Sequence, residues 1–186
     1  MRMLTFPSPL GALTLTEEEG ALTELRFGDL GGRDLSPLLM HARREIGEYL
    51  AGERREFDLP LSPSGTPFQR EVWRALQAIP YGECRTYGAI AAAIDRPKAF
   101  RAVGMANHCN PLPLLIPCHR VVGADGRLTG YAGGLERKRF LLAIEGLEQW
   151  KLLLSGKLYG RMYELLFSRT AAVPNELSLH FDIKSH

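Results

Sequence analysis

The sequence predicts a chain in two parts: a small antiparallel sheet with one helix, then a helical part built around a helix-turn-helix. Three observations carry this. Three short strand-like runs lie before residue 28, separated by turn clusters. Ser62-Pro63-Ser64-Gly65 reads as a linker. Two short helical runs flank Asp95-Arg96-Pro97, the spacing of a helix-turn-helix.

The elements follow in order. Leu4–Phe6 and Ala12–Thr16 are strand-like and are joined by the turn cluster Pro7-Ser8-Pro9-Leu10-Gly11. Glu17-Glu18-Glu19-Gly20 is a second turn. Ala21–Phe27 then alternates apolar and polar residues, as a half-buried strand does, and completes a meander. Leu35–Leu50 has helical spacing at Leu38, Leu39, Ala42, Ile46, Tyr49 and Leu50, and Gly52 is placed to end it. Phe57–Leu61 is a further strand candidate. Thr66 caps the next helix with Pro67 at its first position, and Phe68, Val72, Trp73, Leu76 and Ile79 form its apolar stripe. Thr86 caps a short helix, Tyr87–Ile94, and Lys98–Asn107 is the second helix of the pair. Asn110–Val122 is apolar and Pro-rich, then strand-like. Tyr131-Ala132-Gly133-Gly134 is a flexible loop, and Leu135–Ile144 is a final helix closed by Gly146.

Hydrophobic content of 45% and charged content of 24% place the chain among ordinary globular proteins. No stretch approaches the roughly 18 apolar residues of a membrane span, and the N-terminus lacks the apolar core of a secretory signal. Cys84, Cys109 and Cys118 form no evident disulfide framework, so a reducing compartment is expected, cytoplasmic or nucleoid-associated. Charge is uneven. Residues 1–65 carry 7 Lys+Arg against 11 Asp+Glu, whereas residues 66–146 carry 11 against 6. That suits a middle section that meets a polyanion, and it suits a solvated basic face about equally.

The chemistry concentrates at Ile116-Pro117-Cys118-His119-Arg120-Val121. A cysteine beside a histidine, with the carboxamide of Asn110 before it and the carboxylate of Glu145 after it, has the parts of an activated thiol. In a strand the neighbours Cys118 and His119 would face opposite ways, so His119 is expected to act through a water or across a tight turn. Glu145 can hold the imidazole tautomer. Asn110 is either a turn residue or a bracket for the Cys118 loop. Lys98–Ala106 is rich in small residues, which suits close helix packing or close approach to a nucleic-acid groove; Arg101 stands out there. The histidines show no ligand spacing, so no metal and no cofactor are expected. The runs Glu17–Glu19 and Arg137-Lys138-Arg139 are expected to be solvated, Lys138 excepted.

Asn110-Pro111-Leu112-Pro113-Leu114-Leu115-Ile116-Pro117-Cys118-His119-Arg120-Val121-Val122, followed by Gly130-Tyr131-Ala132-Gly133-Gly134, resembles the O6-alkylguanine-DNA alkyltransferases, or methylated-DNA–protein-cysteine methyltransferases. Ile79-Pro80-Tyr81-Gly82 and Arg101-Ala102-Val103-Gly104 extend the likeness, which runs from Ser8 to Gly146. The resemblance implies an N-terminal ribonuclease-H-like α/β roll over residues 1–64. It implies a winged-helix-like helix-turn-helix domain over 65–146 that carries the reactive cysteine. Residues 147–186 are left as an extension of unknown role, in which Trp150, Leu153, Leu154, Leu158, Met162, Leu165 and Leu166 fit one or two helices.

The implied reaction is a single, irreversible transfer of an alkyl group from guanine O6 in double-stranded DNA to Cys118 after base flipping, by a monomer; thymine O4 is left open as a second substrate. His119 would act as base through a water, Glu145 would orient it, and Asn110 would support the loop. Tyr87 would donate a hydrogen bond or proton to the guanine. Arg101 would fill the gap of the flipped base, with Lys98, Ala102 and Gly104 also meeting DNA. Val121, Tyr131, Ala132, Gly133 and Lys138 would form the pocket. Phe100 departs from the family pattern, standing where members often have a small residue. Two other readings compete: a non-catalytic binder of alkylated DNA, against which the presence of Cys118 argues, and a cysteine hydrolase, which would need no helix-turn-helix.

Overall fold

The computed structural model describes residues 1–147; the apolar residues from Trp150 to Leu166 lie outside the described residues. The first half is the expected meander. Strands β1 (Arg2–Phe6), β2 (Leu13–Glu18) and β3 (Ala21–Phe27) form one antiparallel sheet in that order. Leu4 pairs with Leu15 and Leu15 with Leu25, so the alternating leucines share one face. Helix α1 (Pro37–Leu50) covers β1 and β2, with Leu39, Ala42, Ile46 and Tyr49 at its buried positions. It starts at Pro37 rather than Leu35 because the Ser36 side chain accepts from Leu39 N and caps it. Ser36 also donates to Glu17. Glu17 is therefore buried, and only Glu18 and Glu19 of the expected solvated run are exposed.

The strand expected over Phe57–Leu61 reduces to one bridge, Leu61 with Leu22. Pro60 has no N–H to continue a ladder; its carbonyl accepts from Leu22 N at 2.8 Å and the chain turns away. The linker glycine is tightly constrained: a Cβ at Gly65 would lie 2.5 Å from the Trp73 ring.

The second half starts at α2 (Pro67–Gln77), closed at its N-terminus by the Thr66–Gln69 capping box. The helix-turn-helix is α3 (Tyr87–Ala93), capped by Thr86, and α4 (Phe100–His108), with Asp95 in the left-handed region at φ 55° between them. Trp73 Nε1 donates to Ala106 O at 2.9 Å and pins α4 onto α2. Two short parallel strands, β4 (Arg85–Thr86) and β5 (Val121–Val122), join the start of α3 to the chain just after Cys118. Helix α5 (Leu135–Ile144) ends at Gly146, φ 82°.

The halves are bonded directly. Leu25 N on β3 donates to Pro111 O at 2.8 Å. Arg137 Nε donates to Leu10 O at 2.8 Å, and its guanidinium lies 4.7 Å from the Phe27 ring centre. Arg137 is thus a structural clamp and not a solvated residue.

Candidate active site

The reactive run is built from a loop, a turn and a helix end. Leu114 sits at φ 73° in a buried loop, a backbone state that costs free energy for a residue with a side chain. Asn110 offsets that cost. Its Nδ2 donates to Ile116 O at 2.9 Å and its Oδ1 accepts from Leu112 N at 3.0 Å, bracketing the loop from inside. Cys118–Arg120 then forms one 3₁₀ turn rather than the expected strand, before β5 begins. The reason is local: Arg120 N bonds back to Pro117 O at 3.0 Å, while the buried His119 and Arg120 both seek Glu145. The tight turn replaces the face alternation that a strand would impose.

Glu145, at the end of α5, gathers a buried network. Its Oε1 accepts from His119 Nε2 at 2.9 Å, Arg120 Nη2 at 2.9 Å and the Tyr49 hydroxyl at 2.6 Å; Oε2 accepts from Arg120 Nε at 3.0 Å and Gly82 N at 3.1 Å. Burial alone would raise its pKa. The hydrogen bonds and charges of His119 and Arg120 outweigh that and bring it down to about 2. His119 is shifted the other way. Burial lowers its pKa below the usual value, partly opposed by Glu145, so its ring is neutral near pH 7. With a carboxylate on Nε2, the neutral tautomer carries its proton there. Nδ1 is buried and has no hydrogen-bond partner among the described residues. It offers a free lone pair.

Cys118 is buried, and burial pushes its thiol up to about 11 against the lowering effects of Asn110 and Lys138. Cys118 touches a small cavity of about 50 Å³ lined also by Tyr87, Gly104, Asn107, His108, Gly130, Tyr131 and Ala132. The Tyr131 hydroxyl and Asn107 Oδ1 are buried without a partner among the described residues. Lys138 is fully buried and donates to Val121 O at 2.6 Å and Thr129 O at 2.7 Å. Burial lowers its pKa to about 8.

The fold thus brings Cys118, His119, Glu145, Asn110, Tyr87, Tyr131, Ala132 and Gly104 together. Val121, Gly133 and Lys138 do not themselves line this cavity; Lys138 Nζ lies 3.5 Å from the carbonyl of Gly130, which does. Val121 and Lys138 hold the wall by the ammonium–carbonyl bond. Gly133 is buried under Phe27, where a Cβ would lie 2.7 Å from Phe27 Cε2. Lys98, Arg101 and Ala102 stand exposed around the start of α4, outside the cavity. The Arg101 guanidinium lies 5.8 Å from the centre of the Phe100 ring, itself 48% exposed. Sequence reasoning missed Tyr49, which read as one more apolar position of α1. It gave Arg120, Asn107 and His108 no role. For Asn107 the available signal was a polar residue among the small ones of α4.

Residues 1–63 match the family described as "6-O-methylguanine DNA methyltransferase, ribonuclease-like domain". Residues 67–147 match "6-O-methylguanine DNA methyltransferase, DNA binding domain". A methylated-DNA–protein-cysteine methyltransferase of Mycolicibacterium paratuberculosis is 51% identical over 148 residues, 76% of this chain and 90% of that protein. A constitutive enzyme of the same name from Bacillus subtilis is 50% identical over 153 residues, covering 76% and 93%. Among solved structures, that of Mycobacterium tuberculosis OGT in complex with DNA superposes with a TM-score of 0.72 at 47% identity, covering 78% of this chain and 92% of that one.

Proposed function

The chain belongs to the 6-O-methylguanine DNA methyltransferase family, and from that premise we propose that Cys118 accepts the alkyl group in the direct repair of O6-alkylguanine in double-stranded DNA. One observation carries the assignment. Cys118 shares a cavity with Tyr87 and Tyr131, while its neighbour His119 is a neutral imidazole with an unused Nδ1 lone pair, backed by Glu145.

The chemistry follows. The Cys118 proton passes through a water to His119 Nδ1. Sγ attacks the alkyl carbon, a C–S bond forms, and the bond from that carbon to O6 breaks with its electron pair going to the guanine. Tyr87 stabilises that leaving group by donating a hydrogen bond or proton to the ring. The thioether has no leaving route, so each monomer acts once. A stacked guanine cannot reach a buried thiol, so the base must flip out, at a cost of a few kcal/mol. Arg101, exposed on α4, fills the gap, and Lys98, Ala102 and Gly104 accompany it at the DNA. Backbone charge contacts make the binding salt-sensitive and largely independent of sequence. We read residues 1–64 as the supporting roll and 65–146 as the alkyltransferase domain. Among the described residues no helix is long and apolar enough to cross a membrane.

The test is mass spectrometry after incubation with duplex DNA carrying O6-methylguanine. The protein gains one methyl, fragmentation places it on Cys118, and repaired guanine stops at one equivalent per chain. Cys118→Ala binds DNA and transfers nothing. Methyl on Cys84 or Cys109, or repair beyond one equivalent, overturns the assignment; DNA binding without transfer points to a damage binder.

A further inference from the structure

We propose that Tyr49, carried by α1 of the N-terminal half, is a positioning residue for alkyl transfer: its hydroxyl occupies Glu145 Oε1 and closes the Nε2 side of the His119 ring, leaving Nδ1 as the ring's free nitrogen. This rests on the reading of Cys118 as the alkyl acceptor.

The geometry is specific. Tyr49 is fully buried. Its hydroxyl is 2.6 Å from Glu145 Oε1 and 3.2 Å from His119 Nε2. The hydroxyl has one proton, and the ionised carboxylate is the stronger acceptor, so the proton goes to Oε1. The phenol oxygen then presents only lone pairs to Nε2. The carboxylate does the same at 2.9 Å. Nε2 is therefore flanked by two acceptors, and the neutral ring must be protonated there. Tyrosine serves here because its burial and the Glu145 charge push its own pKa well above the usual value, so it stays a donor.

Tyr49 also shares the Glu145 charge. The more a carboxylate's charge is shared with other donors, the less it favours the imidazolium, which cannot accept the Cys118 proton; Arg120 and Gly82 share it already, and Tyr49 adds to them. The groups facing this ring are Glu145, Arg120, Lys138 and Tyr49, with Tyr81 behind Tyr49 and Glu145. Arg120 and Lys138 disfavour the imidazolium by charge. Tyr49 does so by engaging Oε1. Removing its hydroxyl leaves Glu145 freer to hold a proton on His119, so the His119 titration moves up in pH.

The experiment compares the full chain with Tyr49→Phe, which keeps the ring between Phe57 and Tyr81. His119 is titrated by NMR of its ring nitrogens, its signals identified by their absence in His119→Gln. In the parent the neutral ring is the Nε2–H tautomer at pH 7. In Tyr49→Phe the titration rises by about one pH unit. At the pH of the parent's own His119 midpoint, single-turnover methyl transfer then falls roughly fivefold and recovers toward the parent rate about two pH units above it, with DNA affinity unchanged. An Nδ1–H tautomer in the parent, an unmoved titration, or a rate loss equal at every pH overturns the proposal. The NMR readout needs no alkylated DNA, so failure of Cys118 to accept an alkyl group and failure of this inference are told apart. An Nδ1–H tautomer in the parent overturns the proposal whether or not the variant folds.

Discussion

Burial keeps Cys118 protonated at rest: with its pKa near 11, only about one molecule in ten thousand holds a thiolate at pH 7. Transfer therefore depends on a proton path and not on a standing anion, and the path begins at the bare Nδ1 of His119. Residues in this path act on the chemistry of the base itself, whereas Arg101 acts on the duplex. Arg101→Ala should slow repair of duplex DNA on the order of a hundredfold, because flipping costs a few kcal/mol. Reaction with free O6-benzylguanine needs no flipping and should change little. Tyr87→Phe should slow both, since its hydroxyl meets the ring. Rate constants for the two substrates check this, and an equal loss for Arg101→Ala would make that residue structural. At this scale the sequence was legible where residues are adjacent or carry distinctive chemistry: Cys118, His119, Asn110, Glu145. Tyr49 was not legible, because it lies 70 positions from His119 and is brought there by packing of α1. Its hydroxyl looks identical to any core tyrosine's until Glu145 is seen beside it.

The elements that set the site are short. A single 3₁₀ turn aims Cys118 and His119, and α4 brings Gly104 to the cavity beside Tyr87. A Cβ at Gly104 would meet only the Tyr87 ring, at 3.8 Å, an ordinary contact. The fold should accept Gly104→Ala and gain about 0.5–1 kcal/mol from the helix. The added methyl would stand against the ring that lines the cavity, so transfer should slow about tenfold through misplacement of the base. Thermal melting and single-turnover kinetics test the pair of outcomes; a higher Tm with unaltered transfer would show that the base does not pass Gly104. Elements with caps in the sequence, such as α2 behind Thr66-Pro67 and α3 behind Thr86, were readable to within a residue or so. The strand expected at Phe57–Leu61 failed on Pro60, whose missing N–H a hydropathy pattern does not register. Strand β4 was unreadable because two residues carry no period, and only pairing with β5 defines it.

Over the whole molecule, α1 and the second half meet at a buried carboxylate that binds Tyr49, His119 and Arg120 at once. That arrangement links the stability of the joined halves to pH. Glu145 has its folded pKa lowered to about 2 from an ordinary 4.5. A depressed carboxylate stabilises the fold above its unfolded pKa, and the contribution is lost as pH falls from about 4.5 toward 2. On the alkaline side two groups oppose each other. Lys138, lowered to about 8, adds stability as pH rises from there toward 10.5, while Cys118, raised to about 11, removes stability above 9. On the acid side His119, lowered below its ordinary 6.5, costs stability as pH falls in the same direction as Glu145. Urea unfolding of the parent and of Glu145→Gln should differ at pH 7 by about 2–3 kcal/mol more than at pH 2. Other carboxylates titrate in both proteins and cancel from the difference. A gap that stays constant from pH 7 to pH 2 would mean that Glu145 is not held ionised by the network. The carboxylate would then be a packing group, with no standing charge to orient His119.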